Sequence, residues 1–289
     1  MTFQSIVNGM LLGGLYTTLA LGLSLVFSVM RLVNVAHGDL LTGGAYLVYY
    51  ATTTLGLHVD PLVALVFVIP VVFVVGYVLQ RGILTPLLRS GMEAPLVATF
   101  GLSIVIQSLL TSVFTGNTVS LSASYEATGI TILGANVRVV YLIAFAIAAV
   151  LVAGTHVILS RTTFGRALRA TSTDPDTAAT MGINVDRQHA IAFGVAAAMA
   201  AVGGVLVGVA FSLTPTEGTS LLIMGFAVVV LGGLGSVAGT MLAAVVIGIT
   251  QSLSAQLLGG QYADLTVYLF LIAVLAVRPT GFFGRPEIA

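Results

Sequence analysis

Apolar residues run through this chain in long uncharged blocks, and polar residues gather at the joints between them. A helix crosses a bilayer core with about 20 apolar residues. Blocks of that kind are Ile6 to Met30, Leu40 to Leu57, Leu62 to Leu79, Ala94 to Phe114, Val139 to Leu159, His189 to Leu213 and Val237 to Leu258. Thr219 to Leu231 and Leu265 to Val277 are shorter. Pro70 should kink the third block. The joints are RLVNVAHGD (Arg31 to Asp39), HVDP (His58 to Pro61), Arg81 to Glu93, Thr115 to Arg138, Thr162 to Arg187, TPTEG (Thr214 to Gly218) and GGLGS (Gly232 to Ser236). The pattern predicts an all-α polytopic membrane protein, residues 1–289 forming one transmembrane domain of about eight to nine membrane helices, some short or broken. Thr115 to Arg138 reads as an extramembrane loop with a short hairpin, its turns marked by Gly129 and Gly134.

The first two blocks and the His189 and Thr219 blocks share a plan: a long span, a polar break, then a second apolar segment. The breaks open toward opposite faces. An inverted repeat of that form is common in transporters, although unrelated polytopic chains show similar coincidences.

Composition agrees with a lipid setting. Hydrophobic residues make up 58 % and charged residues 7 %, with no cysteine and zero formal net charge. Disulfides and thiol chemistry are excluded, and nothing favours nucleic acid. All ten basic residues are arginine; without lysine there is no GxxxxGK[ST] phosphate loop, so ATP, if used, is bound by another subunit. Arg31, Arg81, Arg89, Arg161, Arg166, Arg169, Arg187, Arg278 and Arg285 fall on one side of the predicted alternation and only Arg138 on the other. Arginine-rich loops stay cytoplasmic. This places residues 160–188 and the C-terminus in the cytoplasm and residues 115–138 outside.

The Thr162 to Arg187 joint has internal structure. Asp174 can cap a helix, Pro175 suits its first position, and Asp176 favours the positive end of its dipole. The helix should run to about Met181 and stop at Gly182. Gly165 to Ala170 predicts a preceding turn with Arg166 and Arg169 on one face. The segment reads as a coupling element for a separate motor, or as a loop whose arginines only set topology.

Asn34, His37 and Asp39 sit in the first break, Thr214 and Glu217 in the second. Polar residues at membrane depth mark pathways and gates. The plainer alternative has Asp39 and Glu217 capping the following helices and His37 solvated. His37 with Asp39 supplies too few ligands for a metal, and no nucleophile–base–acid set points to an enzyme.

Four segments together carry a resemblance: GLYTTLALGLSLVFSVMRLVNVAHGDLLTGGAY, TTFGRALRATSTDPDTAATMGINVDR, VVVLGGLGSVAGTMLAAVVIG and LAVRPTGFFGRP. The chain resembles, over its whole length, the permease subunits of branched-chain amino-acid ATP-binding-cassette importers, the LivH/LivM type, and the LivH-like member more closely. The resemblance implies a bacterial inner-membrane permease that carries branched-chain or other hydrophobic amino acids. It implies a second LivM-like permease or a second copy, two cytoplasmic ATPase subunits that bind the ATP, and a periplasmic substrate-binding protein. Gly165, Arg166, Arg169, Asp174, Asp176, Ala178 and Gly182 match the family's ATPase-docking loop, although Ala178-Ala179 lacks the glutamate of the general importer loop. The family also includes permeases for urea and short amides. A stand-alone secondary transporter with His37, Asp39 or Glu217 as proton relay is the competing class.

Overall fold

The computed structural model describes the whole chain except residues 1, 57–58, 89–90, 92, 127, 133 and 285–289. His58, Arg89 and Arg285, named above, lie outside the described residues. With no water to satisfy backbone groups in a bilayer, apolar spans must become helices. Among the described residues, seven helical stretches are long and apolar enough to cross a membrane: Thr2–Met30, Pro61–Leu88, Glu93–Phe114, Val139–Arg161, Val185–Ala210, Val237–Leu257 and Gly260–Val277. In chain order the helices are α1 (Thr2–Met30), α2 (His37–Tyr49), α3 (Pro61–Leu79), α4 (Thr85–Leu88), α5 (Glu93–Phe114), α6 (Val139–Arg161), α7 (Thr163–Thr173), α8 (Pro175–Thr180), α9 (Val185–Ala210), α10 (Gly218–Gly232), α11 (Val237–Leu257) and α12 (Ala263–Val277). A hairpin of β1 (Gly129–Ile132) and β2 (Ala135–Arg138) precedes α6.

The Arg81 to Glu93 joint is a correction. The helix passes through Pro70 and continues from α3 by a π-helical turn, Gln80–Leu84, into α4. Arg81 is therefore inside a helix, where it donates to the Tyr77 hydroxyl (2.9 Å). Pro86 cannot donate a backbone hydrogen bond, and a wider turn just before it absorbs that defect.

Hydropathy does not sort centre from periphery here; burial does. In α1 and α9, 78 % and 83 % of the apolar window is buried, against 11 % in α5 and in the span containing α12. Small residues explain the difference. At Gly13, for example, an added Cβ would lie 2.5 Å from the Val245 Cα of α11, a separation that leaves no room for a side chain. The central pair is antiparallel: Gly22 lies against Ala196, and Thr18 against Gly203.

Each central helix is followed by a reversal. After Met30 the chain turns back beside α1, so that His37 meets the Leu19 carbonyl. After Ala210 it turns back again; Leu213 pairs with Val119, and α10 starts against Gly38. From that meeting point α2 and α10 diverge. Tyr46 of α2 donates to the carbonyls of Asn117 and Leu213 at the hairpin face. The far end of α10 is gripped by the C-terminal segment, where the Phe282 and Phe283 N–H groups donate to Leu231 and Gly232. Two short helices thus start together and run to opposite ends of the bundle, in line with two breaks that open toward opposite faces.

The α3–α4 stretch, α6 and α12 end, and α9 begins, at the face that carries α7 and α8. Arg138, the exception in the charge pattern, acts locally. Its guanidinium donates to the Ala210 carbonyl (3.4 Å) at the end of α9, to Glu126 O (3.0 Å), and lies over the Tyr141 ring. A cation at a helix C-terminus satisfies carbonyls left without partners there.

Candidate functional site

Two constructions carry the candidate chemistry. The first is the surface segment α7–α8. The Thr162 side chain caps α7 by accepting from Gly165 N (3.0 Å). An added Cβ on Gly165 would lie 2.3 Å from the Ile158 carbonyl oxygen, so glycine is what lets α7 fold back onto the end of α6. Leu168 points inward and is buried among Leu25 of α1, Ile158 and Leu159 of α6, and Ala192 of α9. Arg166 and Arg169 are exposed on the other side.

Asp174 separates the two helices and caps α8, accepting from the backbone N–H groups of Asp176 and Thr177 (both 3.1 Å) and from the Thr177 hydroxyl. These bonds, the Thr177 hydroxyl foremost, hold its carboxyl below the usual carboxylate range. Gly182 has φ +82°, and the N–H groups of Gly182 and Ile183 close the last turn on Ala179 O and Ala178 O. α8 ends at Thr180, one residue short of the expected Met181. Arg166, Arg169 and Asp176 thus lie on the open surface with Met181, which is 79 % exposed. Gly165 and Ala178 are buried and hold the segment in shape.

The second construction is the meeting of the two helix starts. Asn34, His37 and Asp39 are each 1 % exposed, so His37 is not solvated. Its Nε2–H donates to Leu19 O (3.0 Å). Two backbone groups of the unwound stretch find side-chain partners: Ala36 N donates to Asn34 Oδ1 (3.1 Å), and Val35 N to Thr99 Oγ1 of α5 (3.3 Å). Asp39 lies in the first turn of α2 but turns outward to accept from Gln107 Nε2 (3.0 Å). An added Cβ on Gly218 would lie 2.2 Å from Asp39 Oδ1. Glu217 occupies the capping position of α10 without capping it; its carboxylate accepts from the Thr214 hydroxyl (3.1 Å). The capping alternative therefore fails for Glu217, because the side chain folds back into its own turn.

Sequence reasoning missed the third wall. Thr99, Ser103 and Gln107 recur every fourth residue on α5, one stripe along a helix. Thr99 and Ser103 are, with Pro95, its buried positions, so this helix presents its polar stripe inward and its apolar surface outward. The four-residue spacing was the available signal. By contrast, an apolar cavity of about 330 Å³ between α3, α6 and α9, lined by residues such as Ile69, Phe73, Leu151 and Met199, offers no polar group.

Comparison with known proteins fits this architecture. Residues 5–275 match the family described as branched-chain amino acid transport system / permease component. The chain belongs to this permease family. The high-affinity branched-chain amino acid transport system permease protein BraD of Pseudomonas aeruginosa is 32 % identical, covering 99 % of this chain and 96 % of its own. LivH of Escherichia coli K12 is 33 % identical over the same shares. A probable LivH of Methanocaldococcus jannaschii is 27 % identical over 93 % of this chain and 89 % of its own. No solved structure matches. In this permease, then, the buried polar seam lies where two reversed helices meet, and the capped segment α7–α8 lies on the arginine-rich face.

Proposed function

We propose that this permease is the membrane-spanning subunit of an ATP-driven importer that carries branched-chain amino acids across a bacterial inner membrane. Family membership supports the machine, and the buried seam between α2, α5 and α10 supports the route. A zwitterion crossing an apolar barrier needs polar groups at depth, because an unpaired charge there costs several kcal/mol. Asn34, His37, Asp39, Thr214 and Glu217, with Ser103 and Gln107, supply them. Beside them α10 presents Thr219, Ile223 and Phe226 outward, a surface suited to an aliphatic side chain. A second permease, LivM-like or another copy, closes the path from the other side.

Hydrolysis takes place in two cytoplasmic ATPase subunits, and this chain needs no cofactor of its own. The ATPases dock on residues 160–188 through Arg166, Arg169, Asp176 and the Gly182 turn, with Asp174 keeping α8 formed. Their motion enters through Leu168, whose neighbours belong to α1, α6 and α9. Since α1 and α9 carry the two reversed helices, a shift there parts the seam. A substrate-binding protein docks on the opposite face, at residues 115–138. The C-terminus lies in the cytoplasm.

The observation that carries this reading is a capped, exposed segment whose Leu168 packs beside α1 and α9, the helices that lead into a buried polar seam. The test is uptake of labelled leucine into proteoliposomes holding the permease pair, ATPases and binding protein. Uptake should require ATP and every component. Gradient-driven uptake by this chain alone would instead establish the secondary-transporter class.

A further inference from the structure

Asp39 is a buried carboxylate with neutral partners: it accepts from the Gln107 amide and from Ser103 nearby, and no arginine pairs with it among the described residues. A buried carboxylate at membrane depth is costly without a cation. The position of the amide nitrogen is informative. Gln107 Nε2 lies 3.0 Å from Asp39 Oδ1, 3.4 Å from Thr219 Oγ1 and 3.5 Å from Ser103 Oγ. One nitrogen thus faces three oxygens drawn from α2, α10 and α5. That is the coordination a primary ammonium seeks, with three N–H donors and no acceptor. A neutral amide has only two N–H groups for these three oxygens, and none of its bonds gains from a full charge.

We propose that Asp39, with Ser103 and Thr219, receives the α-ammonium group of the transported amino acid, and that the Gln107 side chain holds this position while the seam is closed. Gln107 is suited to leaving. Its residue is partly exposed, whereas Asp39 and Ser103 are buried. Swinging it aside opens the three oxygens together and breaks the Gln107 link to both helix starts. Gly218 completes the arrangement, since any side chain there would cover the Asp39 carboxylate. The inference rests on the importer reading above and adds to it which end of the substrate the seam recognises.

The test uses the complete importer in proteoliposomes and compares Asp39→Asn with Gln107→Leu, measuring leucine uptake and binding-protein-stimulated ATP hydrolysis. Asparagine keeps an oxygen that Gln107 can donate to but loses the charge; leucine removes the closed-state partner and leaves the charge. Recognition of the ammonium predicts that Asp39→Asn lowers uptake about tenfold or more while hydrolysis persists, the loss expected for one charge-assisted hydrogen bond. Gln107→Leu should lower it less. A merely structural bond predicts the reverse order, and that order, equal losses, or wild-type uptake by Asp39→Asn would overturn the proposal. Failure of the wild-type importer to carry leucine would instead count against the importer reading.

Discussion

Gly38 lies against Gly218 so closely that a methyl group on Gly38 would sit 1.8 Å from the Gly218 carbonyl oxygen. The starts of two helices from opposite halves of the chain are thereby in backbone contact. Each glycine is the condition for the other's position, and the seam around Asp39 exists because they touch.

Gly38→Ala or Gly218→Ala should therefore separate α2 from α10. Overpacking a close contact costs ~1–3 kcal/mol. Either variant should melt earlier in detergent and lose uptake, whereas alanine at Gly43, which has open space around it, should do neither. Thermal unfolding of the three variants side by side checks this.

Leu168 links the docking segment to α1, α6 and α9. Leu168→Ala leaves a cavity at that junction, a change that costs ~2–5 kcal/mol where the surroundings cannot collapse. The expected phenotype is a lower ratio of leucine imported to ATP hydrolysed, with ATPase binding retained. An unchanged ratio would mean that force enters elsewhere.

Gly182 has the left-handed backbone that side chains resist. Gly182→Arg adds strain of ~1–2 kcal/mol and bulk at the docking surface. Uptake should be abolished while the protein still inserts in the membrane, as followed by membrane fractionation and ATPase co-purification.

The Asp174 cap has a defined pH signature. Its folded carboxyl titrates below the ordinary range, so its contribution to α8 is fully present above the ordinary carboxylate value. It is lost as pH falls through the lower, folded value. At neutral pH Asp174→Ala should weaken ATPase binding and Asp174→Ser should restore most of it, because serine also caps. Equal binding by both variants would show that the cap is not what keeps α8 in place.

Much of this architecture was readable because lipid imposes simple rules. Long uncharged runs gave most of the spans, Asp174-Pro175 and Gly182 gave the bounds of α8, and NVAHGD and TPTEG marked the two breaks. Leu40 to Leu57, which reads as a full crossing, instead forms the 13-residue α2 and a π-helical turn, because the chain re-enters beside α1 only at His37. Other features were hidden because they depend on tertiary contact. Nothing local distinguishes α1 from α5 in apolarity, yet one is buried and the other faces outward. Arg81 looked like the start of a loop because charge usually ends a span; the π-helical turn and Tyr77 let it stay. His37 reads as either a gate residue or a solvated one and Glu217 as either a pathway residue or a cap, and it takes the packed seam to exclude the solvated and capping alternatives. Ser103 and Gln107 looked incidental until the partner helix placed Asp39 beside them.

The central claim is that α7–α8 is the cytoplasmic handle of a separate ATPase. The chain has no native cysteine, so Met181→Cys, at an exposed point of this segment, gives a clean probe. A membrane-impermeant maleimide should label it in inside-out vesicles but not in right-side-out ones, and bound ATPase should protect it. Labelling from the outer face, or full labelling with the ATPase in place, would contradict the account.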